Sequence, residues 1–184
     1  MKLNDKMQVA MYFANAIHTD ANQLYDGKAY VTHLQDVVNV LMDFDVTDRS
    51  ILAAAYLHDI MEDCKVPRSV LDELFGVDVG MLVWCVTDEE GVNRKERKAK
   101  TYGKIKANDN AVAIKLADRI ANVEHSIQSK NIRMFKMYRK EMADFTAALY
   151  TPNLLESMWN RLREAIAEGT RVFDAHQNSK PAIA

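Results

Sequence analysis

Residues 53–64 read Ala-Ala-Ala-Tyr-Leu-His-Asp-Ile-Met-Glu-Asp-Cys, so that an apolar run ends in one imidazole and three carboxylates. The run is typical of a buried helix, and on a continuing helix residues three and four apart share a face. Such a helix brings His58, Asp59, Glu62 and Asp63 together. Like charges this close destabilise a helix unless a cation balances them. The stretch therefore predicts a metal site or, alternatively, a solvated acidic helix end.

The composition predicts one soluble globular domain, since 48% of the 184 residues are hydrophobic and can form a sizeable core. With 24 basic and 26 acidic side chains the net charge is -2, which gives no reason to expect binding to nucleic acid or to a membrane surface. No apolar run approaches membrane-spanning length, and the first residues do not resemble a signal peptide. Two cysteines without disulfide or zinc-finger spacing fit a cytoplasmic protein, with Cys64 as an inert thiol. Nothing in the sequence indicates the oligomeric state.

The helical periodicity, with only six glycines and three prolines, predicts an all-α fold of about eight helices. We expect Asp5 to cap the first helix and Thr47 to cap the one that runs into the acidic cluster. The last helix should begin at Pro152 with Thr151 as its cap. Residues 19–28 are predicted to form a polar loop. We expect residues 1–175 to form the domain and residues 176–184 a disordered tail.

Three of the predicted helices carry side chains that can ligate a metal: His33, the His58-Asp59 pair and Asp118. Two imidazoles and two carboxylates leave positions open on an octahedral ion and suit Mn²⁺ or Fe²⁺ better than a closed structural zinc. Taken alone, His33 is better explained as a surface or satisfied core histidine. The combination of the four residues predicts a catalytic metal site.

In their order, these residues resemble the motif of the HD-domain metal-dependent phosphohydrolases, which is His, His-Asp, Asp. Further segments, within Val9 to Phe145, are similar to the hydrolase domain of RelA/SpoT enzymes. They are Tyr30-Val31-Thr32-His33, the His-Asp-x-x-Glu-Asp pattern at 58–63 with Phe75-Gly76 after it, Val86-Thr87-Asp88, and Ile114-Lys115-Leu116-Ala117-Asp118-Arg119 with Asn122. Because the chain has no room for that family's synthetase and regulatory domains, it looks like the stand-alone small alarmone hydrolases, including the metazoan SpoT homologue.

The resemblance implies an HD-domain helical bundle and an activity. The activity is Mn²⁺-dependent removal of the 3′-pyrophosphate from guanosine 3′,5′-bis(diphosphate) or its triphosphate form, a small-molecule nucleotide. One ion per chain would be held by His33, His58, Asp59 and Asp118. The carboxylates of Glu62 and Asp63 would handle protons, and burial and like charge are expected to raise one of their pKa values.

Substrate contacts are also implied by the resemblance. Arg94, Arg97 and Lys98 match a basic segment that faces the substrate phosphates, and Arg139 matches a later arginine. On the helix of Asp118, Lys115 lies three residues before and Asn122 four residues after it, so they are expected to meet phosphate and substrate in the same cleft. The alternatives are a lysine whose stem covers a buried helix and a solvated basic helix face.

The resemblance fails where the family carries a base-contacting cation, about nine residues before the first metal histidine. Gln23 and Leu24 stand there instead, and Leu34 replaces the usual proline. We expect Tyr25 to stack on a purine in place of the cation. Two other functions stay open, a phosphohydrolase for another nucleotide, such as an adenine alarmone or NADPH, and a non-catalytic nucleotide-binding module. The acid–base pair argues against the second of these.

Overall fold

The part of the chain that the structure describes, residues 5–178 of a computed structural model, is almost entirely helical. Its helices are α1 (Lys6–Asp20), α2 (Val31–Asp43), α3 (Arg49–Leu57), the single turn α4 (Ile60–Asp63), α5 (Arg68–Phe75), α6 (Val77–Val86), α7 (Arg94–Lys106), α8 (Asp109–Gln128), α9 (Ile132–Leu149) and α10 (Glu156–Asn178). This confirms the predicted all-α class. Because α10 runs to Asn178, most of the predicted tail, residues 179–184, lies outside the described residues. Within residues 5–178 no helix is both long and apolar enough to cross a lipid bilayer.

Helix α8 lies at the centre of the fold and packs against α2, α6, α7, α9 and α10. Every residue from Ala111 to Ala121 is buried, so this helix is enclosed on all sides. Its interior stretch includes Lys115, Asp118 and Arg119. The predicted functional residues of α8 are therefore inside the protein and need polar partners there.

Several helix boundaries follow from side-chain caps. Asp5 accepts a hydrogen bond from the Met7 N–H at 3.1 Å, as predicted for the start of α1. At the start of α3 the cap is Asp48, which accepts from the Ser50 N–H at 2.7 Å, so the prediction of Thr47 is wrong by one residue. A carboxylate in the extended conformation reaches these N–H groups as well as a hydroxyl does.

The predicted continuous helix through the acidic cluster is wrong. Helix α3 ends at Leu57, and His58 and Asp59 form a turn before α4. The imidazole Nδ1 of His58 lies 2.8 Å from the Ala55 carbonyl oxygen. That oxygen would accept the Asp59 N–H in a continuous helix, so the side chain competes with the backbone at this point.

Two further differences arise from residues in the left-handed backbone conformation. The predicted loop 19–28 contains part of an antiparallel hairpin, β1 (Leu24–Tyr25) and β2 (Lys28–Ala29), in which Asp26 and Gly27 take φ values of 51° and 78°. Asp-Gly is a strong turn signal for such a hairpin. Helix α10 begins at Glu156 and not at Pro152, because Asn153 and Leu155 have φ values of 66° and 54°, which no α-helix accommodates.

Gly76 provides a test of this fold. It joins α5 to α6 with φ +96°, and a Cβ there would approach the Asp78 Oδ1 atom to 2.7 Å. We expect Gly76→Ala to lower the free energy of unfolding by about 1 kcal/mol or more, because an L side chain rarely adopts this conformation. Gly103→Ala is the control, since Gly103 lies inside α7 and an added Cβ meets nothing within 4 Å. It should be neutral or stabilise by up to about 1 kcal/mol. Urea unfolding measures both, and equal effects would contradict this account.

Candidate functional site

Three segments bring the predicted metal ligands into one buried cluster. His33 lies in the first turn of α2, His58 and Asp59 follow α3, and Asp118 lies in α8. Ligand atoms of His33, His58 and Asp118 all lie within 4.8 Å of one another. The Oδ2 atom of Asp59 is 3.0 Å from His58 Nε2 and 3.8 Å from His33 Nε2. The four side chains are therefore neighbours, although they are far apart in the sequence.

The orientation of His58 fits a metal ligand. Its Nδ1 atom faces the Ala55 carbonyl, so the proton belongs on that nitrogen. Its Nε2 atom is buried without a hydrogen-bond partner and faces the carboxylates of Asp59 and Asp118. A backbone acceptor on one ring nitrogen is the usual way to direct the other nitrogen at a metal. Two imidazoles and two carboxylates converging in this way match the donor set of a divalent ion.

The electrostatics of the cluster favour a positive charge. Burial opposes protonation of His58, but Asp59 and Asp118 outweigh it and raise its pKa to about 10. Burial likewise opposes ionisation of Asp118, but Lys115, with its Nζ 3.0 Å away, and the two histidines hold the pKa of Asp118 well below its usual value. A proton on His58 and a divalent cation are thus alternative ways to balance these buried carboxylates.

Asn122 supports Asp118 and joins it to two tyrosines. Its Nδ2 atom donates to the Asp118 backbone oxygen at 3.0 Å and to the carboxylate, while its Oδ1 atom accepts from the hydroxyl groups of Tyr25 at 2.8 Å and Tyr138 at 3.1 Å. Because the amide is fully hydrogen-bonded within the protein, Asn122 orients Asp118, one of the predicted metal ligands, in this structure. Tyr25 stacks on His33 with ring centroids 4.6 Å apart, so that one face of its ring is already covered.

Tyr30 supports the cluster from the side of α1. Its hydroxyl group donates to Asp59 Oδ2 at 2.6 Å, and its ring stacks on the buried His18 at 4.3 Å. Burial lowers the pKa of His18 to about 4, so this histidine is neutral at neutral pH. Burial also raises the pKa of the Cys64 thiol, which lies 3.3 Å from His18 Nδ1 and has the environment of an inert thiol.

A cavity of about 230 Å³ opens over this cluster. The predicted acid–base residues Glu62 and Asp63 both line it. The carboxylate of Glu62 accepts a hydrogen bond from the Asp88 N–H at 3.2 Å. Burial, together with the charge of Asp59, raises the pKa of Asp63 to about 6, as expected from like charge and burial. The cavity therefore combines the metal cluster with a carboxyl group that can exchange protons near neutral pH.

Two lysines line the same cavity, each with its own carboxylate. Lys115 pairs with Asp118, and Lys98 pairs with Asp88 at 2.9 Å. Because both ammonium groups are buried, the carboxylates offset the desolvation cost of their charges. These contacts make Lys98 and Lys115 fixed positive charges beside the metal cluster.

Two arginines complete the cationic lining. Arg94 donates to Glu141 through Nε at 2.6 Å and Nη2 at 3.3 Å, and Arg119 donates to the same carboxylate at 3.1 Å. The Arg119 guanidinium also lies over the rings of Tyr138 and Phe145. Two guanidinium groups sharing one carboxylate leave one net positive charge beside the cavity.

The structure does not bring two predicted substrate contacts, Arg97 and Arg139, to the cavity. Arg139 lies on the α10 side of α9, where its Nη1 atom is 3.5 Å from Thr170 Oγ1. Its neighbour Tyr138 lines the cavity, and successive residues of a helix differ by about 100° in direction. Arg97 likewise precedes the cavity-lining Lys98 by one position. The expected roles of Arg97 and Arg139 are not supported by this geometry.

Several side chains of the site were missed from the sequence: Tyr30, Asp88, Arg119, Tyr138 and Glu141. Tyr30 gave a signal, because it lies three residues before His33 and shares its helix face. Asp88 and Arg119 lie in segments that carry the resemblance, but those motifs assign them no contact. No signal in the sequence indicated Glu141, because its partners lie on two other helices.

A second cavity of about 230 Å³ adjoins the first. The hydrogen-bonded group of Tyr25, Asn122 and Tyr138 lines both cavities and forms the wall between them. Leu24 and Asp26 from the hairpin also line the second cavity. The site therefore has room for a ligand that extends beyond the metal cluster.

Proteins of similar sequence are known. A curated guanosine-3′,5′-bis(diphosphate) 3′-pyrophosphohydrolase of Drosophila melanogaster is 38% identical over 96 residues, which is 51% of this chain and 54% of that protein. A protein of the same description from Aquifex aeolicus is 30% identical over 153 residues, which is 80% of this chain and 21% of the relative. The match thus spans about half of the first relative and about a fifth of the second.

A similar fold has been solved for a metazoan orthologue of SpoT that is described as hydrolysing ppGpp and playing a role in starvation responses. That structure matches with a TM-score of 0.75 at 24% identity, covering 91% of this chain and 97% of the other. A family model described as the HD domain matches residues 10–152, a range that includes His33, His58, Asp59 and Asp118. The chain belongs to the HD domain family.

Proposed function

We propose that the chain is a Mn²⁺-dependent phosphohydrolase that removes the 3′-pyrophosphate from alarmones of the guanosine 3′,5′-bis(diphosphate) type. The observation that carries this proposal is the cavity in which a metal-ligand cluster, two further carboxylates and four cations meet. Hydrolysis of a phosphate ester by this route uses the metal ligands and the two carboxylates, and binding of a polyphosphate uses the cations. The descriptions of the Drosophila and Aquifex relatives support the choice of substrate.

The metal ligands in this proposal are His33, His58, Asp59 and Asp118. The mixed nitrogen and oxygen donors favour Mn²⁺ over ions that prefer oxygen alone or sulfur. A divalent ion held there supplies Lewis acidity toward a water molecule and toward the phosphoryl oxygens. The protein contributes the orientation of the ligands, through Ala55 behind His58, and through Tyr30 and Asn122 behind the carboxylates.

Glu62 and Asp63 move the protons of the reaction. Water adds to the phosphorus attached to the 3′ oxygen, the bond between that phosphorus and the 3′ oxygen breaks, and pyrophosphate is released. A carboxylate accepts a proton from the water and a carboxyl group returns one to the 3′ oxygen. Asp63 suits this exchange because burial raises its pKa above the usual value. A pure nucleotide-binding module has no need for such a pair.

The phosphates of the substrate are held by Lys98, Lys115, Arg94 and Arg119 in this proposal. All four line the cavity, whereas the whole chain has a net charge of -2. Binding of a polyanion to a net-negative protein depends on such a local concentration of cations.

The nucleoside occupies the second cavity in this proposal. Leu24, which stands where the family carries a base-contacting cation, lines that cavity. Only one face of the Tyr25 ring is left for stacking on a base, because His33 covers the other face. Arg133 is the cation that lines this cavity, and position 24 carries none. Because the family's base-contacting cation is missing from that position, an adenine nucleotide is a second candidate substrate.

Removal of one metal ligand tests the cluster. We expect His58→Ala to lose the stoichiometric Mn²⁺ that the wild type retains after dialysis, because a buried imidazole leaves the ligand set. His125→Asn, at a histidine outside the cluster, should keep one ion per chain. Elemental analysis measures both variants. Stoichiometric Mn²⁺ in His58→Ala would show that the ligand assignment is wrong.

The acid–base pair is tested by Glu62→Gln and Asp63→Asn. Each should lower kcat by about 10²-fold or more, the range expected when proton transfer is lost. Metal content should stay at the wild-type level, because neither residue is a ligand. If both variants turn over at the wild-type rate, neither carboxylate takes part in proton transfer.

Base choice is tested by comparing guanosine and adenosine 3′,5′-bis(diphosphates). We expect a guanosine advantage in kcat/KM below about a hundredfold, some 2.7 kcal/mol, because no cation at position 24 contacts the base. Leu24→Arg should increase the preference for guanosine. Leu24→Met introduces a long unbranched side chain without a charge and should leave the preference unchanged. A wild-type advantage well above a hundredfold would contradict the assignment.

A further inference from the structure

The loop between α6 and α7 joins the acid–base pair to the cations of α7 through one residue. The backbone N–H of Asp88 donates to Glu62 Oε2 at 3.2 Å, and its carboxylate accepts from Lys98 Nζ at 2.9 Å. The side chain of Asp88 is 4% exposed and that of Lys98 is 12% exposed. Asp88 therefore contacts a carboxylate and a cation of the cavity without lining the cavity itself.

Lys98 depends on a carboxylate to keep its charge. It is buried beside Lys115 of α8 and Arg94 of its own helix, and burial together with these cations lowers its pKa. Asp88 is the only salt-bridge partner of Lys98 within residues 5–178, whereas Lys115 and Arg94 have carboxylates of their own. Without this partner a buried ammonium group either loses its proton or turns towards solvent.

We propose that Asp88 is a positioning residue that fixes the charged Lys98 ammonium group in the cavity, at a set place relative to Glu62. The inference rests on the proposed function, in which Lys98 holds a substrate phosphate and Glu62 handles a proton. Asp88 touches neither the substrate nor the reacting atoms. It acts through its backbone on one residue and through its carboxylate on the other.

The loop has other anchors, so the Asp88 carboxylate is not needed simply to hold it in place. The Glu89 N–H donates to Thr101 Oγ1 at 2.8 Å, and Lys104 bonds the Thr87 carbonyl oxygen at 3.0 Å and pairs with the Glu89 carboxylate. Glu89 is the matched control, because it forms the same kind of pair in the same loop with a lysine that does not line the cavity.

The test is Asp88→Asn in the Mn²⁺-loaded protein. This change keeps the backbone contact with Glu62 and removes only the charge. We expect KM to rise by about tenfold or more with little change in kcat, because a charged hydrogen bond that holds a binding group is lost. Glu89→Gln should leave both constants at wild-type values.

The pH profile separates positioning from a general loss of structure. The charged groups near Lys98 are Asp88 from the loop, Lys115 from α8, Arg94 from α7, and Glu62 and Asp63 of α4, which line the same cavity. In Asp88→Asn the alkaline limb of kcat/KM should move to lower pH, because Lys98 loses its proton more easily. Adding Lys98→Arg should restore the limb, since a guanidinium group stays charged.

Three outcomes would overturn the proposal. They are an Asp88→Asn variant that behaves like Glu89→Gln, a loss of kcat at every pH that Lys98→Arg does not restore, and an unchanged titration of the Lys98 amine. The last is measured without turnover by NMR of ¹³C-labelled lysine, with Lys98→Arg assigning the signal. If the wild type hydrolyses no 3′-pyrophosphorylated nucleotide while the Lys98 titration still shifts in Asp88→Asn, the proposed function fails and the link between Asp88 and Lys98 stands.

Discussion

The rest of the site depends on the buried ion pair between Lys115 and Asp118 on the central helix α8, because buried charges need polar partners. Both side chains lie in a stretch that is buried on every side. Taking two charges out of water costs several kcal/mol per ion. The attraction between Lys115 and Asp118 at 3.0 Å offsets this cost only when further polar groups also interact with the charges. His33, His58 and Asn122 are those further groups for Asp118. The group of His33, His58 and Asn122 around Asp118 is therefore also what allows α8 to keep a carboxylate in its buried stretch.

The same requirement explains why the cations of the cavity are all paired. Glu141 forms salt bridges with Arg94 and Arg119, and Asp88 forms one with Lys98. These carboxylates lie behind the cavity lining, so they offset the cost of burial while the cations keep their place at the cavity. The four cations are in this way held in place as hydrogen-bond donors to a polyanion, in a cavity whose lining also contains the carboxylates of Asp59, Glu62, Asp63 and Asp118.

Local signals in the sequence predicted most of the helices, because caps and helix periodicity act over a few residues, and the order of the His, His-Asp and Asp motifs predicted that His33, His58, Asp59 and Asp118 lie together. Asp5 marks the start of α1 in this way. The contacts that failed depend on direction or on distance along the chain. Arg139 was misplaced because one helix position turns a side chain from the cavity to α10, and the break at His58 was missed because its imidazole competes for the Ala55 carbonyl. Glu141, whose partners lie 22 and 47 residues away, could not be found from spacing.

The wall between the two cavities has a thermodynamic consequence. Asn122 accepts hydrogen bonds from Tyr25 and Tyr138 on one side and orients Asp118 on the other. An occupant of the second cavity that draws the tyrosine hydroxyl groups away from the amide changes the restraint on a residue of the metal cluster. Occupancy of that cavity and affinity for the cation are then linked functions, and each changes the other by the same factor. In the proposed function, this single amide side chain would couple the two ends of the substrate.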